Sequence, residues 1–412
     1  MKPFLISVAA AAVLACSGAR SQPPESAVVR DSAGVELVEH PAGAEAKLPN
    51  WIAVDSPLVD IGGRDDEPGH DLHLVSAVLH LSDGRIVVAN RATQELRVFD
   101  SAGTFLSAIG RRGSGPGDFK SIGSLQLLEA DSILVTDPQT RRATVFGPDG
   151  GVARLISTVR APGADERAYV NMTGLLHSGR LVGTSMRFPE MKETSGPVRR
   201  DSFALVLLSG DSAMDTIAVL PGYELYPALG HEGGHSFPTV RALEFGRSTI
   251  LSTDGHLIYA GTNETEGIRV YDAAGRLIRI IRGALIAEPV TQEHRDQRMK
   301  ETLESYAGSQ VSEEIKAEWR KNLEDTRYAE TFPFYERLMP GTDGSLWVEL
   351  PRHFADEGRR FVVFNMAGQA IAKVSCPTRM RPFVVGPDRI IGVWRDPDDV
   401  QHVRVYPVRA ER

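Results

Sequence analysis

The run His231-Glu232-Gly233-Gly234-His235 holds the residue types that most directly suggest chemistry. Two histidines four positions apart bind zinc when a helix turns both imidazoles to one face, and the glutamate then serves as base. Here the centre is Gly-Gly, Pro227 stands upstream and Pro238 downstream, so a helix is not expected. The segment reads as a Gly/His loop, with His231 and His235 as candidate ligand-face residues or a loose metal site. The run Arg111-Arg112-Gly113-Ser114-Gly115-Pro116-Gly117 is glycine-rich but leads into a strand. It lacks the helix N-terminus that a phosphate loop uses, so it reads as a turn whose Arg111 and Arg112 could hold an anion. No Gly-x-Ser-x-Gly elbow occurs, and two cysteines, Cys16 and Cys376, make no Cys/His metal pattern. The sequons at Asn171 and Asn263 read as chance matches.

A repeated unit must position these groups. Asp83–Phe119 alternates apolar and polar residues in three bursts, Ile86–Ala89, Leu96–Phe99 and Phe105–Ile109. Period-two alternation broken by Gly turns marks antiparallel strands, and its recurrence at tens of residues points to a β-propeller. Six units align, each with strands A to D from inner to outer; the third shows B to D at Arg180–Thr184, Phe203–Leu208 and Asp215–Leu220. Turns recur as Asp83-Gly84, Ser178-Gly179, Asp254-Gly255 and Asp343-Gly344 between A and B. Between C and D they recur as Ala102-Gly103, Asp149-Gly150, Ala274-Gly275 and Ala367-Gly368. Phe99, Phe146, Tyr271, Phe364 and Tyr406 recur on strand C and are expected in the core between blades.

The sixth unit ends at its strand C, Val403–Pro407. Leu58–Ile61, with Gly62 and the later Pro68-Gly69, repeats the spacing from Ile109-Gly110 to Pro116-Gly117, so it is expected to complete the last blade and close the ring. Thr291–Ala307 and Ser312–Tyr328 instead carry apolar residues at helical spacing (Met299, Leu303, Tyr306; Ile315, Trp319, Leu323), with Ser312 as cap. The predicted fold is all-β: a six-bladed β-propeller over residues 34–412, with a helical hairpin insertion at 291–328 between blades 4 and 5.

Met1–Ala15 is a basic residue followed by an apolar stretch too short to span a bilayer, which reads as a signal peptide. Val13-Leu14-Ala15-Cys16 resembles the lipobox of bacterial lipoproteins, which implies lipidation at Cys16, and Ser17 after it favours the outer membrane. Residues 16–33 are then a polar, Pro-containing tether. The alternative is an ordinary signal peptide and a secreted protein. With Cys16 acylated no internal disulfide can form, so the fold rests on its core. A net charge of −8 argues against nucleic acid as partner.

Strand order separates two faces. A–B and C–D turns are short; B–C and D–A connections are long and varied: 111–121, 159–173, 186–200, 221–239, 283–334 with its helices, and 350–359. Long loops on a rigid scaffold are where binding sits. Asn90, Arg91, Asp137, Arg187, Arg352, His353 and Arg395 fall in B–C loops and join Arg111, Arg112, His231 and His235 as candidate ligand-face residues. The insertion belongs to this face as lid or plug.

Arg111 to Phe119, close to IGRxGxGPGEF, and Phe332-Pro333 followed by Asp343-Gly344-Ser345-Leu346-Trp347-Val348 give the chain from about Val35 to Arg409 its resemblance to six-bladed, NHL-repeat-like bacterial lipoproteins. The resemblance implies the fold and a cell-envelope location; related propellers include metal-dependent sugar-lactone hydrolases and a lyase. The expected function is a membrane-anchored extracytoplasmic binding or scaffolding module for a protein, peptide or glycan, a monomer with no catalytic residue and no cofactor assigned. The alternative is a hydrolase or lyase with a divalent metal, calcium or zinc, at the channel mouth.

Overall fold

The computed structural model describes residues 27–54, 56–64, 66–157, 168–187, 196–209, 213–308, 311–354 and 358–411. Its strands form six antiparallel meanders. Blade 1 is Val75–His80, Ile86–Asn90, Glu95–Phe99 and Phe105–Ile109; blade 2 is Leu125–Leu127, Ile133–Asp137, Arg142–Phe146 and Val152–Ser157. Blade 3 is Ala168–Leu175, Leu181–Arg187, Arg199–Ser209 and Ala213–Glu232, with His235–Ala242 added at its edge. Blade 4 is Ile250–Thr253, Leu257–Gly261, Ile268–Asp272 and Leu277–Arg282; blade 5 is Arg337–Pro340, Leu346–Glu349, Arg360–Phe364 and Ala370–Ser375. Blade 6 is Met380–Val385, Arg389–Arg395 and Gln401–Ala410.

Three of the four repeated C–D turns, those containing Ala-Gly, share one mechanism. Asp100 Oδ1 accepts the amides of Ala102 and Thr104, Asp272 Oδ1 those of Ala274 and Arg276, and Asn365 Oδ1 those of Ala367 and Gln369. These side chains mimic a backbone turn, and the glycine after each alanine takes the left-handed conformation that completes it (φ 90° at Gly103, 84° at Gly275, 75° at Gly368).

Apolar residues gather between blades. Six buried clusters occupy the six junctions, including one that joins Val78, Val88 and Phe99 of blade 1 to Ile391, Val393 and Val403 of blade 6. The strand-C aromatics Phe99, Phe146, Tyr271, Phe364 and Tyr406 are all buried in them. Stacking of this kind buries each sheet on both faces, so no blade has a core of its own.

Four N-terminal strands finish the outer edges: β1 (Val28–Ser32), β2 (Val35–Glu39), β3 (Asn50–Ala53) and β4 (Val59–Gly62). β4 pairs antiparallel with the last strand, Ile61 opposite Val403. β3 lies parallel to the outer strand of blade 5 and antiparallel to residues 408–410, so blades 5 and 6 form one continuous sheet. β2 pairs parallel with the outer strand of blade 4 and carries β1 as a hairpin partner. Val35–Val38 thus adds an edge strand. Part of the expected tether, Val28–Ser32, is itself a strand, because the Ala33-Gly34 turn (φ 55° and 82°) folds it back on β2.

The loop expected at 221–239 is instead a hairpin arm. The outer strand of blade 3 runs to Glu232 and returns through Gly233-Gly234, both at positive φ (60° and 77°), which suits a two-residue hairpin turn. The third blade also has a strand A, Ala168–Leu175, where a loop was expected. The insertion folds as α1 (Gln292–Gly308) and α2 (Glu313–Leu323), with Ser312 Oγ accepting the Ile315 amide; residues 324–328 continue as turn and loop. Among the described residues no helix is long and apolar enough to cross a membrane.

Two histidines hold the N-terminal strands and must be neutral to do so. His40 Nε2 accepts the Ala370 amide at 3.0 Å, leaving Nδ1–H for the Arg282 carbonyl at 3.1 Å. His70 Nδ1 accepts the Gly62 amide of β4 at 3.2 Å, and its ring lies amid Arg64, Glu67 and Arg97. Burial lowers both pKa values, so the unfolded chain binds the extra protons first. Stability from these contacts is present above about pH 6.5 and is lost as the pH falls toward the folded-state pKa values. Urea unfolding from pH 7.5 to 5 should show this loss, and H40Q/H70Q should flatten it; an unchanged slope in the variant would count against the assignment.

Candidate ligand-binding site

On the long-loop face, a cavity of about 320 Å³ opens between blades 5, 6 and 1. Five arginines line it, Arg352, Arg359, Arg379, Arg381 and Arg395, together with Asp399, Gln401, Val75, Met380 and Val393. In a chain of net charge −8, that convergence is against the overall balance. Arginine outnumbers lysine throughout the sequence, so the signal lies in the convergence rather than in the choice of cation.

Blade 5 supplies the first group. Glu349 ends strand B and lies opposite Arg337 on strand A in the sheet register. Its carboxylate is fully buried, 3.2 Å from Arg337 Nη1 and hydrogen-bonded by Arg359. Arg337 also donates to the Pro382 carbonyl of blade 6 at 3.0 Å, tying the two inner strands together. Burial lowers the Arg337 pKa, which Glu349 opposes and Arg381 and Arg359 reinforce. Glu336, beside this pair, has its pKa raised by burial and by the Glu349 charge. Burial also pushes the nearby Cys376 thiol up to about 12, so it behaves as a core residue.

Blade 6 supplies the second group. Asp396 Oδ1 accepts the amides of Asp398 and Val400, an Asx turn that presents Asp399. Asp399 Oδ2 pairs with Arg395 at 2.6 Å, and Arg379 donates to the Asp396 carbonyl at 2.6 Å. Arg381 lies over the Phe383 ring at 5.1 Å; solvent reaches it through the pocket, yet the surrounding protein and the Arg359 charge lower its pKa. Gln401 spends its Oε1 on the Val75 amide at 2.9 Å, which leaves its amide nitrogen as the group for a ligand.

Of the candidates named from sequence, Arg352 and Arg395 line this pocket. Asn90 and Asp137 are buried and serve the backbone: Asn90 Oδ1 accepts the His73 amide, and Asp137 accepts those of Lys120, Gln139 and Thr140. Arg91 is exposed, Arg111 pairs with Asp118, and Arg112 donates to the Ala92 carbonyl; none lines the pocket. The side chain of Arg187 lies outside the described residues. His353 faces Glu288 at 3.4 Å and packs on Phe332 and His294, fastening blade 5 to α1. His231 and His235 flank the arm's turn, in strands rather than a loop. There Glu318 of α2 accepts the Gly233 and Gly234 amides, and Asn322 bonds the His231 backbone. A cross-strand hairpin cannot give the one-turn helical spacing that zinc needs.

Arg359, Arg379 and Arg381 were missed as site residues. Arg359 ends the loop 350–359 named from sequence, and Arg379 and Arg381 stand at the start of blade 6, outside every loop named there. No α1 or α2 residue lines the pocket, and none of α2 is buried; Arg298 of α1 borders a separate cavity of about 260 Å³ near Glu336. A divalent metal does not suit the arginine pocket, whose lining offers guanidiniums and one carboxylate already paired. Among the described residues no three His, Cys, Asp or Glu side chains converge as a metal site.

Removing Glu349 leaves Arg337 and Arg359 without their shared counter-charge. Glu349→Ala should cost about 3–5 kcal/mol by urea denaturation; a loss below about 1 kcal/mol would contradict the role given to this carboxylate.

Residues 71–152 match the model of a family described as a 6-bladed beta-propeller, DUF5128. No curated protein matches the chain. Similar solved structures include a DUF4221 family member from Bacteroides vulgatus, 10% identical, covering 88% of this chain and 99% of that one at TM-score 0.48. Others are a calcium-binding protein, regucalcin, from Agrobacterium tumefaciens (12% identical, 88% and 97%, TM-score 0.38) and virginiamycin B lyase from Staphylococcus aureus (8% identical, 85% and 98%, TM-score 0.38). With its six antiparallel meanders and this match over blade 1 and most of blade 2, the chain is a six-bladed β-propeller protein.

Proposed function

We propose that this propeller is a membrane-anchored, extracytoplasmic binding module that captures an anionic ligand in the arginine pocket of its long-loop face. Its ring is closed by β4 on the last blade, and α1 and α2 form an insertion between blades 4 and 5 that packs on the hairpin arm, outside the pocket lining. The observation that carries the reading is the convergence of five arginines in one cavity of an acidic chain. Guanidiniums present fixed forks that suit carboxylates and phosphates, and they hold their charge at any physiological pH. Burial first, and then repulsion from neighbouring guanidiniums, lowers the pKa values of Arg337 and Arg381, a cost that a bound anion offsets.

A ligand that binds only the folded state raises stability by about 2.7 kcal/mol at one hundred times its Kd. Thermal unfolding in citrate should therefore occur at higher temperature than in sodium chloride of equal ionic strength. The increment should vanish in R381Q/R395Q, a variant that leaves Glu349 and its partners in place. Equal increments in both proteins would sink the proposal.

The anchor rests on Leu14-Ala15-Cys16. Expressed in a bacterium with lipoprotein processing, the protein should partition with membranes and incorporate labelled palmitate, and Cys16→Ser should lose both. Label retained in the variant, or none in the parent, would refute lipidation at Cys16.

A further inference from the structure

We infer that the pocket is built for a small molecule carrying two separated acid groups, a dicarboxylate, rather than for a single compact anion; this rests on the anion-binding reading above. The arginines fall into two banks. Arg352 and Arg359 flank the B–C loop of blade 5; Arg379, Arg381 and Arg395 come from strands A and B of blade 6 and the approach to strand A. A tetrahedral oxyanion is usually cradled by clustered backbone amides, whereas the pocket's donors are side chains distributed over two blades.

The banks also have a fixed separation. β3 joins the outer strands of blades 5 and 6 into one sheet, and the bond from Arg337 to Pro382 ties their inner strands. Each bank is oriented by its own carboxylate, Glu349 holding Arg359 and Asp399 holding Arg395. Among the described residues, Arg359 meets the carboxylate Glu349 beneath bank one and Arg395 meets Asp399 in bank two, so each bank keeps its own orienting partner when a ligand binds. The cavity volume lies at the low end for small-molecule sites, which favours a compact ligand over a polymer.

Titration calorimetry tests this with succinate, glutarate and adipate against butyrate and inorganic phosphate, on the full propeller. At least one dicarboxylate should bind about tenfold or more tighter than butyrate, since a second charge-assisted contact is worth about 1.5–3 kcal/mol. The best chain length would report the bank separation. R352Q on one bank and R381Q on the other should each remove that advantage, bringing the dicarboxylate to the affinity of butyrate. Equal binding of butyrate and every dicarboxylate, or tighter binding of phosphate than of any dicarboxylate, would overturn the two-bank inference while leaving an anion site. Failure of all five anions to bind would overturn both.

Discussion

Sheet edges are the constraint behind this molecule. A blade's outer strand presents unpaired N–H and C=O groups, and a last unit one strand short would present them nearer its core. The N-terminal segment meets that need along blades 4, 5 and 6, through β2, β3 and β4 in turn. Its effect reaches the centre, because β3 makes one sheet of the two blades that supply the pocket's arginines. Covering an edge and fixing the spacing of the site are therefore one structural act. The histidines His40 and His70 make the same segment sensitive to acid, since each lends a ring nitrogen to a backbone amide.

Electrostatics then decide what the pocket can hold. Burying Glu349 is costly, and the two guanidiniums that meet it repay the cost only while both remain in place. The same arrangement places Arg359 near Arg381, whose charge is already disfavoured by the surrounding protein. Such a site is poorly suited to cations and well suited to oxyanions. The helical insertion and the hairpin arm support each other away from it, through the Glu318 carboxylate and the Asn322 amide.

Much of the scaffold was legible because its signals are local. Alternation, Asp-Gly and Ala-Gly turns, and the spacing shared by Ile61-Gly62 and Ile109-Gly110 each depend on a few consecutive residues, and strands stand where those signals put them. The hairpin arm was hidden because Pro227 and Pro238, tolerated here near a sheet edge, break the strand signal, and because the histidines flanking its turn suggest a different motif. Val28–Ser32 was hidden by its polar centre, Arg30-Asp31-Ser32, which suits an exposed edge strand as well as a tether. The site was the least legible part. Asn90 and Asp137 have the right position and polarity, yet loop amides claim their oxygens. Arg359, Arg379 and Arg381 become a site only when two blades meet, and no local pattern in one blade announces its neighbour.

The central claim is that the arginine pocket is where this propeller takes its ligand. Crystals grown with selenate, whose anomalous scattering marks an oxyanion directly, test it without an assumption about the natural ligand. The account predicts an anomalous peak within hydrogen-bond reach of guanidiniums from the pocket, among them Arg359, Arg381 or Arg395. Peaks confined to exposed arginines such as Arg111, with ordered water alone in the pocket, would contradict it.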